Sequence, residues 1–211
     1  MIRKSLIISI LATVVAVAPA FARKGPVRLV ATAGYVNSLE SIKGEYDGGA
    51  DQYLSGNFGG VYAGLEVLAK PLAGLPLCVT TGIGAKYASG LLHDRAVRES
   101  YVFAPLRAGW TFEVFSFDLD QKFLVEPYAG PVFQFGLSSK SNEYDFYHPD
   151  GVIEAKRFNV LFGAGVRAVL NSIALDLGYD FGLIPRYERE GAGYSYRWTC
   201  STLHVGLAYR F

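Results

Sequence analysis

Eight segments of the chain alternate apolar and polar side chains with a period of two, the pattern of half-buried β-strands. In one of them Phe158, Val160 and Phe162 share one face, and Asn159 and Gly163 share the other. Because successive side chains of a strand point to opposite faces, each segment is predicted to have one apolar and one mixed face. The predicted strands are Val27–Val36, Phe58–Ala69, Leu77–Tyr87, Tyr101–Val114, Phe123–Leu137, Phe158–Leu170, Ile173–Leu183 and Trp198–Phe211.

The two faces differ in charge in a way that favours a membrane. The apolar face is almost free of charged residues, and a Lys or Arg there would cost about 2–4 kcal/mol at the bilayer midplane. The mixed face is rich in glycine and carries isolated charges of both signs, which could pair inside a narrow lumen. We therefore predict an all-β fold, a closed, antiparallel, up-and-down transmembrane β-barrel of eight strands. The predicted lumen network comprises Arg28, Glu66, Lys86, Arg107, Glu126, Arg167, Asp176, Asp180, His204 and Arg210.

The connections between these strands alternate strictly between short and long. With both chain ends on the periplasmic side, every long connection falls outside the cell, which is the asymmetry of outer-membrane barrels. Outward-facing aromatics near both predicted ends fit two interfacial girdles. The short connections are Lys70–Pro76, Phe115–Lys122 and Asn171-Ser172, and the long polar ones are Asn37–Asn57, Ala88–Ser100, Ser138–Arg157 and Ile184–Arg197.

The first twenty-two residues have the three parts of a secretory signal peptide. Arg3 and Lys4 are the positive start, Leu6 to Val17 is the apolar middle, and Ala20-Phe21-Ala22 is a cleavage site of the small-x-small type. An uncleaved anchor is the alternative, but a spanning helix needs about 20 apolar residues. We predict cleavage after Ala22, a single barrel domain over residues 23–211, and location in the outer membrane.

The composition argues against several other classes of protein. The net charge is +1, without the basic excess of a nucleic-acid binder. The chain has 24 Gly, 14 Tyr and 14 Phe, which suits closely packed strands with aromatic ends. A disulfide between Cys78 and Cys200 is not expected, since the strand assignment puts them towards opposite ends of non-adjacent strands. We predict no cofactor and no metal site, because the acidic stretch Glu40, Glu45, Asp47 and Asp51 lacks the spacing of a calcium loop.

Three histidines raise the question of catalysis, because some eight-stranded barrels modify lipid A with a His, a Ser and an acid. His93 and His148 fall in predicted loops, and His204 points into the lumen near Ser201 and Thr202 in sequence. No distinctive motif surrounds any of them, so we predict no enzyme. The third long loop is a candidate surface recognition loop, or its aromatics simply cover the barrel mouth. Its candidate residues are Tyr144, Phe146, Tyr147 and His148.

Short motifs carry a resemblance to known outer-membrane proteins. Leu207, Tyr209 and Phe211 in the terminal segment resemble the signal read by the outer-membrane barrel assembly machinery. Tyr101-Val102-Phe103-Ala104-Pro105-Leu106, Glu126-Pro127-Tyr128-Ala129-Gly130-Pro131 and Leu177-Gly178-Tyr179-Asp180-Phe181-Gly182-Leu183 resemble the PorT-like small outer-membrane β-barrel (porin family) proteins. The resemblance implies a small barrel of the cell envelope and carries over no catalytic residues.

The preferred function is a structural or surface-interaction role with a largely plugged lumen, because eight strands leave room for little more than side chains. A narrow channel or small-ligand carrier is one alternative, since the lumen glycines could leave a thin cavity. A lipid A-modifying enzyme and a component of an outer-membrane export machinery are the others. The expected partners are outer-membrane lipids and the barrel assembly machinery, with no nucleic acid, and the protein is expected to be a monomer.

Overall fold

The computed structural model describes residues 27–46, 52–72, 74–92, 95–116, 122–141, 145–147, 155–191 and 194–211. The predicted signal peptide, Met1 to Ala22, lies outside the described residues. In the part of the chain that is described, no helix is long and apolar enough to cross a membrane.

Antiparallel strands form one closed sheet. Eight of them make a ring in the order β1-β2-β3-β4-β6-β7-β8-β10, and β10 pairs again with β1. The shorter β5 pairs with β6, and the shorter β9 pairs with β10. The strands are β1 (Val27–Tyr46), β2 (Gln52–Ala69), β3 (Leu77–Leu92), β4 (Arg95–Trp110), β5 (Phe112–Ser116), β6 (Lys122–Ser141), β7 (Phe158–Leu170), β8 (Ile173–Gly182), β9 (Tyr187–Gly191) and β10 (Tyr194–Arg210).

The closing contact confirms the predicted barrel. β10 lies antiparallel to β1 with Val205 opposite Tyr35, and the Phe211 backbone N–H donates to the Leu29 carbonyl at 3.0 Å. Each wall strand pairs with the next one along the chain, which is the up-and-down topology. Closure leaves no free edge among the eight wall strands, so each of them pairs on both sides.

The predicted long loops are wrong in extent, because the strands continue far into them. β1 runs ten residues beyond Val36, and β3 and β4 leave only residues 93–94 between them. Beyond Val36 the outward side chains turn polar while the inward ones stay buried, so the apolar signal fades although the backbone pairing persists. The two ends of the barrel therefore differ more in how far their strands extend than in the length of their loops. We call the end with these extended hairpins the tall end and the opposite end the short-turn end.

The outer wall carries a continuous belt of exposed apolar side chains, the apolar band. Ile83, Val61 and Leu207 are 61%, 60% and 60% exposed. A continuous band of such exposed apolar side chains would be unusual on a water-soluble protein. Towards the tall end the band stops where the outward positions become polar. The first polar residues there are Asn57, Ser89, Ser100, Ser138 and Ser201.

The barrel interior contains two apolar clusters at different heights. The cluster at the short-turn end contains Val30, Leu68, Cys78, Val169, Ala174 and Ala208. The cluster towards the tall end contains Val36, Phe58, Tyr62, Ala88, Leu92, Val97, Phe146, Tyr147, Ala155 and Trp198. Buried charged side chains occupy much of the remaining interior.

Candidate functional site

A buried network of ion pairs crosses the lumen from wall to wall. Arg167 on β7 donates through Nε to Asp176 Oδ2 at 2.9 Å and through Nη2 to Glu66 Oε2 at 2.6 Å. β2, which holds Glu66, lies opposite β7 in the ring of eight. Arg107 on β4 donates to Asp180 Oδ1 at 3.3 Å and lies 4.0 Å from Glu66 Oε1. The side chains of these charged residues are 8% exposed or less, and these five of the ten predicted lumen residues form one network.

Tyr128 and His204 join this network from β6 and β10. The Tyr128 hydroxyl donates to Asp176 Oδ1 at 2.7 Å, and its oxygen lies 3.1 Å from His204 Nε2. On the other side of the imidazole, Nδ1 lies 3.7 Å from Asp180 Oδ2. The guanidinium of Arg107 also lies over the Tyr128 ring, 4.8 Å from its centroid. His204 is therefore held between a phenol and a carboxylate.

The other predicted lumen residues lie apart from that network. Arg210 and Glu126 form a buried two-point ion pair nearer the short-turn end, and Thr111 donates to Glu126 Oε1 at 3.1 Å. Lys86 is buried and donates to Thr202 Oγ1 at 3.0 Å. Arg28 is exposed at the short-turn end, so it is not part of the buried interior.

The lumen glycines make room for aromatic rings. A Cβ added at Gly34 would lie 2.8 Å from the Tyr62 ring, and one at Gly206 would overlap the hydroxyl of the same tyrosine. A Cβ at Gly178 would lie 2.5 Å from the Tyr128 hydroxyl. Real side-chain carbons do not approach so closely, so a larger residue at these positions would displace the ring. The glycines thus accommodate rings from strands one or two places away in the ring of eight, where the channel hypothesis expects them to leave a thin cavity.

The cavity beside the network is small. Its volume is about 30 Å³, which is room for about two water molecules. The lining is largely polar and includes Lys86, Gln134, Thr202 and His204. Among the described residues, no group of three or more His, Cys, Asp or Glu side chains could hold a metal ion.

A second charged cluster lies beyond the apolar band, and the sequence analysis did not predict it. Arg186, in the segment between β8 and β9, donates to Glu40 Oε1 at 3.0 Å and to Glu99 Oε1 at 2.8 Å. The Trp198 indole donates to Glu40 Oε2 at 2.6 Å, and the Arg186 guanidinium lies 4.5 Å from the indole ring. The three charged side chains are at most 1% exposed. We call Glu40, Glu99, Arg186 and Trp198 the tall-end cluster.

The two carboxyl groups of the tall-end cluster differ in acidity. Burial raises the pKa of Glu40, and the attraction of Arg186 offsets this only in part. Burial also disfavours ionised Glu99, but Arg186 and hydrogen bonds from Ser139 and Tyr101 outweigh it and lower the pKa of that carboxyl. Glu99 is therefore the ionised partner of Arg186, whereas Glu40 takes up a proton more readily.

Part of the tall-end cluster could have been found from the sequence. Glu40 continues the inward phase of Val36 and Ser38, so extending the alternation by four residues would have placed it inside the barrel. Arg186 lies in a segment without a strand pattern, and no periodicity points to it.

The hypothesis of a surface recognition loop fails for two of its four residues. Phe146 and Tyr147 are buried, and the Phe146 ring meets Trp198 edge-on at 5.5 Å between centroids. They pack into the mouth because their apolar rings cover the tall-end cluster, which is the alternative that the sequence left open. Tyr144 and His148 lie outside the described residues.

The described residues do not form the His–Ser–acid arrangement considered for His204. Ser201 occupies an outward phase of β10, where its hydroxyl accepts the Gly182 backbone N–H at 3.4 Å, whereas His204 points inward. His93 lies outside the described residues. Cys78 and Cys200 are both buried with free thiols.

Comparisons with known proteins give matches of low similarity. No protein-family model and no curated protein matches the chain, so membership of the PorT-like family stays a prediction. Among solved structures, Neisserial surface protein A is 13% identical over 87% of this chain and 97% of its own, with a TM-score of 0.39. A major outer membrane protein from Thermus thermophilus is 19% identical over 85% and 99%, with a TM-score of 0.39. Ail, the attachment invasion locus protein of Yersinia pestis, is 13% identical over 85% and 98%, with a TM-score of 0.27. The barrel assignment therefore rests on this chain's own strand pairing.

Proposed function

We propose that this chain is an integral outer-membrane β-barrel with a closed lumen, which acts in envelope structure or surface interaction through its tall end. The observation that carries the proposal is the link between opposite walls, Glu66 to Arg167 at 2.6 Å. An open pore would need those charges to face water along a continuous path. Here they are buried and paired with each other.

The apolar band supports a position in the membrane. Side chains such as Ile83 and Leu207 are more than half exposed. Contact with lipid would remove their apolar surface from water, which is favourable. The ring of eight strands satisfies the backbone hydrogen bonds inside the band, which a spanning structure requires. The predicted signal peptide supports export, and the tall end then faces the cell exterior.

The packing of the interior supports a closed lumen. The cavity of about 30 Å³ is far smaller than the roughly 300 Å³ of a typical ligand pocket. Tyr62 and Tyr128 lie where the lumen glycines would otherwise leave space. The tall-end cluster adds a second plug, because Arg186 links Glu40 on β1 to Glu99 on β4.

No catalytic role is part of the proposal. His204 is held by Tyr128 and faces Asp180, and an inward-facing histidine at 5% exposure is poorly placed to reach a lipid substrate. The proposal includes signal cleavage after Ala22, a monomeric state, and assembly by the barrel machinery through Leu207, Tyr209 and Phe211.

Conductance in planar lipid bilayers tests the closed lumen. The mature protein, purified and inserted, is expected to give only background current. Insertion is verified in vesicles from the same preparation by the faster electrophoretic migration of the unheated, folded barrel. A steady single-channel conductance from verified, inserted protein would contradict the proposal and favour the channel.

A further inference from the structure

Two cations stand directly opposite each other on the outer wall just beyond the apolar band. Arg98 on β4 pairs in register with Lys140 on β6, and both side chains are exposed. Like charges in a direct cross-strand pair repel each other and destabilise the sheet unless an anion lies between them. Arg98 has no hydrogen bond or ion pair with another residue in the described part of the chain. We call these two residues the outer cation pair.

A third cation, Arg157, is fixed against the backbone of β6. The Arg157 guanidinium donates to the Gly136 carbonyl at 3.3 Å and to the Leu137 carbonyl at 3.5 Å, and it lies 4.8 Å over the Tyr147 ring. These contacts hold it at the top of the apolar stretch of β6. Among the described residues one acid is paired with these cations, Asp145, whose Oδ2 is 3.0 Å from Lys140 Nζ. Arg98 therefore stays without an acidic partner in the described part of the wall.

The distance of these groups from the apolar band matches the position of the headgroups of a lipid leaflet. Along β4 the outward positions change from apolar Val102 to Ser100 and then to Arg98. With a rise of about 3.4 Å per residue and a tilt of about 40°, Arg98 lies roughly 10 Å beyond Val102. Ser100 and Ser138, also in register, place two hydroxyls between the apolar band and the cations. Long basic side chains reach back towards such a boundary.

The other like-charge pair in the described part of the wall is different. Lys43 on β1 stands opposite Arg197 on β10, but each of them has an acid beside it, because Lys43 is ion-paired with Glu45 and Arg197 pairs in register with Glu188 on β9. At the short-turn end Lys122 is paired with Glu113 at 2.7 Å. Arg98 is therefore the one of these cations that has no acidic partner among the described residues, since it stands between Ser89 and Lys140.

We propose that Arg98 and Lys140 bind the phosphate groups of a phosphorylated glycolipid of the outer leaflet. Each phosphate oxygen can accept from guanidinium and ammonium donors, and Ser100 and Ser138 can donate to the sugar or phosphate oxygens below. The acyl chains of the bound lipid lie along Val102, Leu137 and Phe158. The inference rests on the proposed position in the outer membrane.

Native mass spectrometry of the mature protein in zwitterionic detergent micelles tests this site. The probes are bisphosphorylated lipid A, the same lipid without its phosphates, and inorganic phosphate. The wild type is expected to bind the bisphosphorylated lipid in preference to both others. Arg98→Gln/Lys140→Gln is expected to weaken that binding about tenfold, since two charge-assisted contacts are lost. Arg28→Gln/Lys70→Gln removes equal charge from the short-turn end and is expected to bind like the wild type.

Three results would overturn the site. Equal binding by the outer-cation-pair variant and the wild type would do so, and so would equal weakening in the short-turn variant, which would mean unspecific charge attraction. Tighter binding of inorganic phosphate than of lipid would also exclude a lipid site. Folding of each variant is verified by its electrophoretic shift. If the wild type fails to insert into phosphatidylcholine vesicles, the proposed function fails; if it inserts and the variant binds normally, only the site fails.

Discussion

At the residue scale, the tall-end cluster shows how one guanidinium can hold two carboxyl groups of unequal acidity. Arg186, at 1% exposure, bonds to both Glu40 and Glu99. A single buried cation cannot fully compensate two buried anions, so one carboxyl group should be the easier one to neutralise. The pKa directions identify it as Glu40.

Replacing either carboxyl by its amide should therefore have unequal effects. Glu99→Gln removes the ionised partner of Arg186 and is expected to cost about 3–5 kcal/mol in free energy of unfolding. Glu40→Gln is expected to leave the free energy of unfolding within about 1 kcal/mol of the wild type or to raise it, because the amide oxygen still accepts one donor and the charge at this position is no longer buried. Urea unfolding in phospholipid vesicles at neutral pH measures both. Equal losses in the two variants would contradict the assignment.

The same two residues predict opposite dependences on pH. The folded pKa of Glu99 is lowered, so its stabilisation is present above the ordinary carboxyl value of about 4.3 and is lost as pH falls through the folded value. The folded pKa of Glu40 is raised, so stability declines as pH rises from the ordinary value through the folded one. Unfolding midpoints are measured from acid to neutral pH. The gain in stability with rising pH that Glu99 causes in the wild type should be absent from Glu99→Gln, and the loss of stability that Glu40 causes should be absent from Glu40→Gln. Parallel wild-type and variant curves would argue against both shifts.

At the scale of single elements, the turn between β7 and β8 depends on one backbone conformation. Asn171 has a φ of 55°, in the left-handed region that asparagine and glycine tolerate best. A two-residue hairpin with a positive φ matches the twist of the two strands. The pair Asn171-Ser172 was predicted as a tight turn, and the strands on either side of it end where expected.

Substitutions at this turn should separate conformation from contact. Asn171→Val is expected to cost about 1–2 kcal/mol in free energy of unfolding, because a β-branched residue is strained at this φ. Asn171→Gly is expected to be neutral or slightly stabilising at the same position. Urea unfolding compares them, with Ser172→Ala as a neighbour that leaves the backbone of Asn171 unchanged. A Gly variant as unstable as the Val variant would point instead to a lost side-chain contact.

The strands also show what the sequence can and cannot predict. The parts of the wall inside the apolar band were predicted closely, because lipid contact forces apolar and mixed faces to alternate. The extension of β1 beyond Val36 was missed because both faces become polar there, as at Ser41. The partner of Glu99 was missed because Arg186 lies outside any strand, and only the closed barrel brings β1, β4 and that segment together. Alternation predicts which way a side chain points, but not which distant strand it meets.

At the scale of the whole molecule, we expect the cross-lumen ion pairs to decide between alternative packings more than they add stability. Moving Glu66, Arg167 and Asp176 from water into the interior costs several kcal/mol per ion, and their mutual attraction offsets this only when every member is present. Their geometry nevertheless ties β2 to β7, on the opposite wall, and β7 to its neighbour β8. A barrel with another register could not make both contacts at once.

Removing Arg167 alone should therefore destabilise the barrel more than neutralising Arg167 together with both of its acidic partners. Arg167→Met leaves two buried carboxylates uncompensated and is expected to cost about 3–5 kcal/mol in free energy of unfolding. Adding Glu66→Gln and Asp176→Asn removes those charges, and the triple variant is expected to recover most of the loss. The exposed pair Lys122 and Glu113 is the matched control, since Lys122→Gln there should cost at most about 1 kcal/mol. Urea unfolding in phospholipid vesicles measures all three. A triple variant no more stable than Arg167→Met would mean that the ion pairs themselves hold the two walls together, and the network would then be a source of stability as well as of closure.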